Sequence, residues 1–190
     1  MSAPSTFRSK NERICPHKYA FMLDNFIRRL FQHPKKVVAE YIREGDTVID
    51  LGCGPGYFSI DMAKMVGENG RVIAVDQQES MLASVKKKAA KYGVADRIDF
   101  HRCSSSALGL TQKADFVLAM YMVHETPDSR SFLHEVKGLL KDRAKFLVVE
   151  PGLHVSRKQF GRMVKDAEAI GFRVLGFPKK KGGKSVLLTA

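Results

Sequence analysis

Three glycines and two aspartates at the ends of neighbouring predicted strands are the residues best suited to bind a ligand. The segment Val48 to Gly56 reads VIDLGCGPG, so that Asp50 precedes a loop with glycines at positions 52, 54 and 56. Glycines let the chain turn tightly and let its backbone approach a ligand that a Cβ atom would obstruct. Asp76 ends the next strand, where a carboxylate can accept hydrogen bonds from both hydroxyls of a ribose.

Two classes of nucleotide ligand compete for such a loop. A nicotinamide dinucleotide favours the spacing GxGxxG, but Tyr57 stands where its third glycine would be. An acid before the first glycine fits poorly beside a pyrophosphate, whereas Asp50 suits the ammonium group of an amino acid. A ligand with an α-amino group at Asp50, a ribose at Asp76 and no phosphate is S-adenosylmethionine. The motif therefore predicts a site for S-adenosylmethionine.

Strands and helices alternate around this loop. Short β-branched runs predict strands, and apolar residues at helical spacing predict helices. The predicted strands are 47–51, 71–76, 98–101, 114–120, 144–150, 172–177 and 185–189, and the predicted helices are 34–42, 59–66, 79–92, 128–140 and 156–170. This alternation indicates right-handed crossovers and a mostly parallel sheet, and the short link between the last two strands indicates an antiparallel hairpin. Such a sheet binds ligands outside the carboxyl ends of its strands.

Four segments of the sequence resemble a known family. They are GDTVIDLGCGPG (45–56), VIAVDQQESMLASVKKKA (72–89), ADFVLAMYMVHETPD (114–128) and HEVKGLLK (134–141). The family is the class I S-adenosylmethionine-dependent methyltransferases, and the sequence is most similar to its branch of ubiquinone/menaquinone-biosynthesis and arsenite methyltransferases. The resemblance, which covers about residues 34–175, implies a Rossmann-like, doubly wound α/β fold with seven strands, the last of them antiparallel.

The same resemblance implies how the cofactor is held. The methionine part is expected at the glycine loop, the ribose at Asp76, the adenine near the following turns, and the sulfonium at the end of the fourth strand. The implied cofactor residues are Asp50, Gly52, Cys53, Gly54, Gly56, Asp76, Gln77, Met81, Ser104, Ser105, Ala119 and Met120. No metal is expected, because the leaving group of a sulfonium methyl is already activated.

Candidates for the transfer step follow the fourth and fifth strands. His124 could take a proton from a hydroxyl or carbon acid, although a histidine there can equally cap a turn or pack against the sheet edge. Tyr121 is expected either to take part or to form a wall of the pocket, and His154 is a candidate for contact with the acceptor. A thiolate site for arsenic is disfavoured, because Cys53 lies in the cofactor loop and Cys103 at the adenine end, which leaves only Cys15 able to face the acceptor.

The N-terminal segment is expected to cover the acceptor. Residues 19–31 carry apolar side chains at helical spacing, and they precede the first strand. Residues 1–33 are therefore predicted to form an arm and a lid helix, and residues 34–190 to form the S-adenosylmethionine-binding domain. Tyr19, Met22 and Phe26 are the candidate substrate contacts of the lid.

Composition and charge limit the partners. The chain has 190 residues and a net charge of +12, with acidic and basic residues balanced over 46–150 and a basic excess at both ends. The basic ends leave RNA or protein as an alternative acceptor to a small molecule. Without a long apolar stretch, a membrane span is not expected. Three cysteines without a CxxC pair and a polar start favour a cytoplasmic enzyme, and intact cofactor motifs argue against a non-catalytic binding module.

The loop spacing predicts that the protein binds S-adenosylhomocysteine, the demethylated product of the cofactor, and does not bind NADH. The product should stabilise the fold by mass action, by about 2.7 kcal/mol at 100 times its dissociation constant. Thermal unfolding with each ligand at the same concentration measures this. Equal stabilisation by NADH would contradict the assignment of the loop.

Overall fold

The computed structural model of the chain describes residues 33–180 and 183–190. The arm and lid predicted over residues 1–33, with Tyr19, Met22 and Phe26, lie outside the described residues except for His33. Their proposed role stays a prediction. Among the described residues, every helix is too short or too polar to cross a membrane.

A seven-stranded sheet forms the centre of the fold. The strands are β1 (Thr47–Leu51), β2 (Arg71–Asp76), β3 (Ile98–Arg102), β4 (Ala114–Met120), β5 (Leu140–Pro151), β6 (Arg173–Gly176) and β7 (Gly183–Thr189). Their order in the sheet is β3-β2-β1-β4-β5-β7-β6. The first five strands are parallel, and β7 pairs antiparallel with both β5 and β6. The predicted fold class is therefore confirmed.

Helices cover both faces of the sheet. They are α1 (Pro34–Val38), α2 (Ser59–Met65), α3 (Glu79–Lys91), α4 (Ser129–Leu139) and α5 (Arg157–Ala169). Apolar residues of α1, α2 and α3 pack on one face in one cluster, and those of α4 and α5 pack on the other face in a second cluster. Successive strand residues contribute to opposite clusters, as Val48 and Ile49 do, because side chains alternate along a strand. Both faces are thus buried, as a doubly wound sheet requires.

Side chains near the helix ends explain two of the boundaries. Asp128 accepts hydrogen bonds from the backbone N–H groups of Arg130 and Ser131, which fixes the start of α4. Ser156 and Gln159 form a reciprocal capping box at the start of α5. Such caps satisfy N–H groups that have no partner within the helix.

Strand β5 is longer than predicted, and α1 is shorter. Pairing between β4 and β5 joins Ala114 to Leu140 and resumes only at Phe116 and Lys145. The extra residues of β5 bulge out between these pairs, and Arg143 there takes a left-handed φ of 62°. A bulge interrupts the alternation of apolar residues, so the sequence indicated only the regular part of the strand.

Candidate active site

The glycine loop that follows β1 is organised by the buried carboxylate of Asp50. This residue is 2% exposed and accepts a hydrogen bond of 2.6 Å from the hydroxyl of Ser59, the first residue of α2. Gly54, in the loop, has a φ of +52°, and a Cβ atom added there would meet no atom within 4 Å. The loop backbone at Gly54 therefore faces open space in which a ligand can approach.

Asp76, at the end of β2, ties this loop to the turn before α3. Its Oδ2 accepts a hydrogen bond from the backbone N–H of Gly54, and its Oδ1 accepts one from Gln78, both at 2.9 Å. Burial raises the pKa of Asp76, and the backbone donors partly offset that effect. A carboxylate offers about four lone-pair positions. Asp76 can therefore hold the loop and still accept hydrogen bonds from two ligand hydroxyls.

A cavity of about 810 Å³ opens beside these two aspartates. It lies at the carboxyl ends of β1, β2, β4 and β5, across the point between β1 and β4 where the strand order reverses. Ligands of open α/β sheets bind at this point, and the volume is in the range of small-molecule pockets. Thirteen of the predicted site residues line the cavity: Asp50, Gly52, Cys53, Gly54, Asp76, Gln77, Met81, Ser104, Ser105, Met120, Tyr121, His124 and His154.

Two predicted residues, Gly56 and Ala119, are not among those that line the cavity. Gly56 faces α3 instead, where a Cβ atom would lie 3.0 Å from a methyl carbon of Val85 and 3.3 Å from its Cα. Ala119 is completely buried in the cluster that packs against α4 and α5. In the structure, Gly56 allows the close approach of a helix, and Ala119 fills the core.

The residues after β3 form a tight turn at one end of the cavity. The hydroxyl of Ser104 accepts a hydrogen bond of 2.9 Å from the backbone N–H of Ala107, so it helps to shape the turn. Cys103 is half-buried and Cys53 is buried, and burial raises the pKa of both thiols. Because the thiolate is the form that binds soft metals and metalloids, neither cysteine is suited to that role.

His124 is held by a residue that the sequence analysis did not identify, Glu150. Oε2 of Glu150 is hydrogen-bonded to Nδ1 of His124, and Oε1 accepts the backbone N–H of Val123 at 3.0 Å. This hydrogen bond raises the pKa of His124 above its ordinary value, against the opposing effect of burial. The only sequence signal for Glu150 was an acid at the end of an apolar strand, just before Pro151.

Tyr121 stands in a strained backbone conformation directly after β4. Its φ is 61°, a left-handed value that is costly for a bulky residue. The backbone N–H of Tyr121 donates to the carbonyl of Val149 at 2.7 Å, which fixes the turn against β5. Strain of this kind costs about 1–3 kcal/mol and is concentrated at functional sites. The conformation places Tyr121 and Met122 on the wall of the cavity.

The charge of the cavity contrasts with the charge of the protein. The chain contains 32 lysines and arginines, yet none of them is among the described residues that line the cavity. The charged side chains of the lining are carboxylates: Asp50, Asp76, Glu125, Asp128 and Glu135. Burial raises the pKa of Glu125, and Glu150 and Asp76 add to the rise. The cavity is therefore suited to a cationic or neutral ligand.

Substitution of Gly54 and Gly56 by alanine should separate ligand binding from packing. Both residues have a positive φ, so both variants carry similar backbone strain. Gly56→Ala should lower the free energy of unfolding further, by about 1–3 kcal/mol, because its methyl group is forced against Val85. Gly54→Ala should instead lower the affinity of the protein for S-adenosylhomocysteine. Denaturant unfolding and calorimetry measure both effects, and unchanged affinity in Gly54→Ala would contradict the placement of the ligand.

The chain is similar to known methyltransferases in sequence. The family model for a methyltransferase domain matches residues 42–182. UbiE of Edwardsiella ictaluri, a ubiquinone/menaquinone biosynthesis C-methyltransferase, is 28% identical over 135 residues, which are 70% of this chain and 52% of UbiE. A "Probable cobalt-precorrin-6B C(15)-methyltransferase (decarboxylating)" of Pyrobaculum calidifontis is 46% identical over 57 residues, 30% of this chain and 29% of that protein. The chain thus spans about half of the UbiE relative and less of the other.

A solved structure shows the same architecture over nearly the whole chain. The S-adenosylmethionine-dependent methyltransferase of Aquifex aeolicus superposes with a TM-score of 0.81 at 25% identity, covering 92% of this chain and 98% of that one. S-adenosylmethionine is the methyl donor of this family, and the glycine loop, Asp76 and the cavity fit it. The chain therefore belongs to the class I S-adenosylmethionine-dependent methyltransferases.

Proposed function

We propose that the protein transfers a methyl group from S-adenosylmethionine to a small, uncharged acceptor. The observation that carries the proposal is the single cavity in which the glycine loop and Asp76 meet His124 and Tyr121. The first pair of features suits the cofactor, and the second pair provides side chains for an acceptor. One contiguous space allows both molecules to bind next to each other.

The residues present fit the cofactor by chemistry and by shape. Asp50 would hold the α-amino group, the backbone at Gly52 and Gly54 would border the methionine part, and Asp76 would bind the ribose. The carboxylates of the lining favour a ligand that carries a positive sulfonium and an ammonium group. When bound, the cofactor supplies a methyl group on a good leaving group, so the protein has mainly to position the acceptor and exclude water.

The lining of the cavity favours an uncharged acceptor over a nucleic acid. Affinity for RNA comes largely from lysine and arginine side chains that neutralise phosphates. The described lining contains carboxylates and no such side chains. The basic surplus of the chain lies elsewhere, for example at Lys180, which pairs with Glu40 at 2.8 Å. An acceptor with phosphate or carboxylate groups would meet like charges inside the cavity.

Methyl transfer to RNA or protein is the second candidate, because both ends of the chain have a basic excess. The two candidates differ in their dependence on salt. Affinity for RNA falls steeply as salt rises from low to physiological concentration. An uncharged small acceptor should bind with little change over that range.

A screen with labelled S-adenosylmethionine tests the proposed function. The acceptors should include small quinols, phenols, amines and thiols, together with RNA and a protein extract, each at low and at physiological salt. We expect label in a small-molecule product at both salt concentrations. Label only in RNA or protein, lost at the higher salt concentration, would favour the second candidate.

Removal of the Asp76 carboxylate should weaken the binding of the cofactor far more than removal of a nearby surface carboxylate. Asp76→Ala would lose two charge-assisted hydrogen bonds to the ribose, each worth on the order of 1.5–3 kcal/mol, and the anchor of Gly54. Glu79→Ala is the matched control, since its side chain is 72% exposed and faces Arg102 at 4.0 Å. Calorimetry with S-adenosylhomocysteine gives both affinities. Similar values for the two variants would show that the ribose is not at Asp76.

A further inference from the structure

Glu150 is a buried carboxylate that is not among the described residues lining the cavity. It is 2% exposed and stands near the end of β5, between β4 on one side and β7 on the other. A buried charge is costly unless donors satisfy it. Two donors come from the turn after β4: the backbone N–H of Val123 on Oε1, and Nδ1 of His124 on Oε2.

This arrangement favours one position for the proton of His124. Toward a carboxylate, which only accepts hydrogen bonds, Nδ1 of His124 would be the donor. In the neutral imidazole the other nitrogen, Nε2, is then a proton acceptor. The side chain of His124 is 27% exposed and lines the cavity. Nε2 lies 4.0 Å from Oε1 of Glu125, beyond hydrogen-bond distance.

We propose that Glu150 is a positioning residue that keeps His124 ready to accept a proton, and that the acceptor of the methyl group is a hydroxyl. The proposal rests on the proposed function and adds the class of the acceptor atom. Its basis is geometric: a buried carboxylate is hydrogen-bonded to Nδ1 of an imidazole ring that lines the cavity.

In the proposed step a proton moves from the acceptor to His124 while the methyl group moves from sulfur to oxygen. The O–H bond of the acceptor breaks, and the proton passes to Nε2 of His124. The oxygen forms the new bond to the methyl carbon with an electron pair, while the carbon–sulfur bond breaks and its electron pair stays on sulfur. The products are a methyl ether, neutral S-adenosylhomocysteine, and an imidazolium ion that is stabilised by the carboxylate of Glu150.

Among oxygen, sulfur and nitrogen acceptors, a hydroxyl is the one for which such a base matters most. A phenol such as tyrosine ionises near pH 10, whereas a thiol ionises near pH 8.5, so a thiol reaches its reactive form more easily at neutral pH. A neutral amine already presents a lone pair. No lysine or arginine among the described lining residues could stabilise an oxygen anion before transfer. In the proposed step the proton leaves during the reaction, and His124 lines the cavity where it can take that proton.

Other titratable groups also face His124 or Glu150 and enter the pH dependence. Glu125 is the neighbour of His124 on the same turn, and the charges of Asp76 and His154 act on Glu125. Lys184 is opposite Glu150 in the β5–β7 register, but its ammonium donates to the carbonyls of Gly152 and Val155. The direct partner of the His124 ring among these groups is Glu150.

The first test is an NMR titration of the His124 ring in the full chain. In the wild type, His124 should titrate above its ordinary pKa, with the proton of the neutral form on Nδ1. Glu150→Gln keeps the shape of the side chain, and its amide oxygen can still accept a hydrogen bond from the backbone N–H of Val123. The titration midpoint of His124 should therefore fall while the fold is kept. Glu135→Gln is the matched control, because Glu135 lines the same cavity but accepts from the backbone of Leu108.

The outcome of this titration decides the positioning role without any enzymatic assay. A lower midpoint in Glu150→Gln, with the wild-type midpoint kept in Glu135→Gln, supports the proposal. An unchanged midpoint in Glu150→Gln, or a wild-type neutral form with its proton on Nε2, would overturn it. If Glu150→Gln did not fold, the ring tautomer of the wild type would still decide the question.

The second test uses ring compounds that differ only in the acceptor atom: phenol, thiophenol and aniline, and their naphthalene counterparts. We expect methyl transfer to the hydroxyl compounds, with kcat rising with pH as His124 loses its proton. His124→Gln should lower kcat by about 10²–10⁴-fold with little change in KM, and Glu150→Gln should lower kcat in the same direction. Transfer only to sulfur, nitrogen or a ring carbon would overturn this proposal and leave the proposed function standing. A lack of transfer to every probe would overturn both.

Discussion

The double hydrogen bond of Asp76 to the backbone is the contact on which the site depends. Its two oxygens hold Gly54 and Gln78, and so connect the loop after β1 to the turn after β2. The backbone N–H of Cys53, which donates to the carbonyl of Val75 at 2.9 Å, adds a second link between the loop and β2. A single carboxylate thus sets the shape of the pocket and contributes to its charge. Substitutions of Asp76 are expected to alter loop geometry as well as ligand contacts.

Charge separation is the second constraint on the molecule. The chain as a whole is strongly basic, while the described lining of the cavity carries carboxylates without lysine or arginine. The carboxylates of such a cavity favour a positively charged cofactor. The basic surface can then serve solubility, or an anionic partner, without interfering with the site. The net charge of the chain and the charge of the cavity are thus separate properties. The net charge of +12 alone would have suggested a basic cavity, whereas the described lining carries carboxylates.

Features encoded locally could be predicted from the sequence, and features that depend on distant pairs could not. The spacing of Asp50, the glycines and Asp76 indicated the site because all of them lie at the ends of two successive strands. The contact of Glu150 with His124 could not be predicted from the sequence, because the two residues are 26 positions apart and only the sheet brings them together. The packing of Gly56 against α3 was missed for the same reason: its neighbour Val85 belongs to a later helix. The bulge at Arg143 interrupts the alternation that signals a strand.

The place of β7 in the sheet has a consequence for the order in which the protein matures on the ribosome. β7 inserts between β5 and β6, although it is the last strand in the sequence. Until residues 183–189 have been made, β5 has a free edge along the stretch from Phe146 to Pro151, which includes Glu150. The cofactor half of the cavity, built by β1 and β2, can form while that edge is still open. The nascent protein is therefore expected to form the side of the cavity built by β1 and β2 before the side that contains His124 and Glu150 becomes rigid.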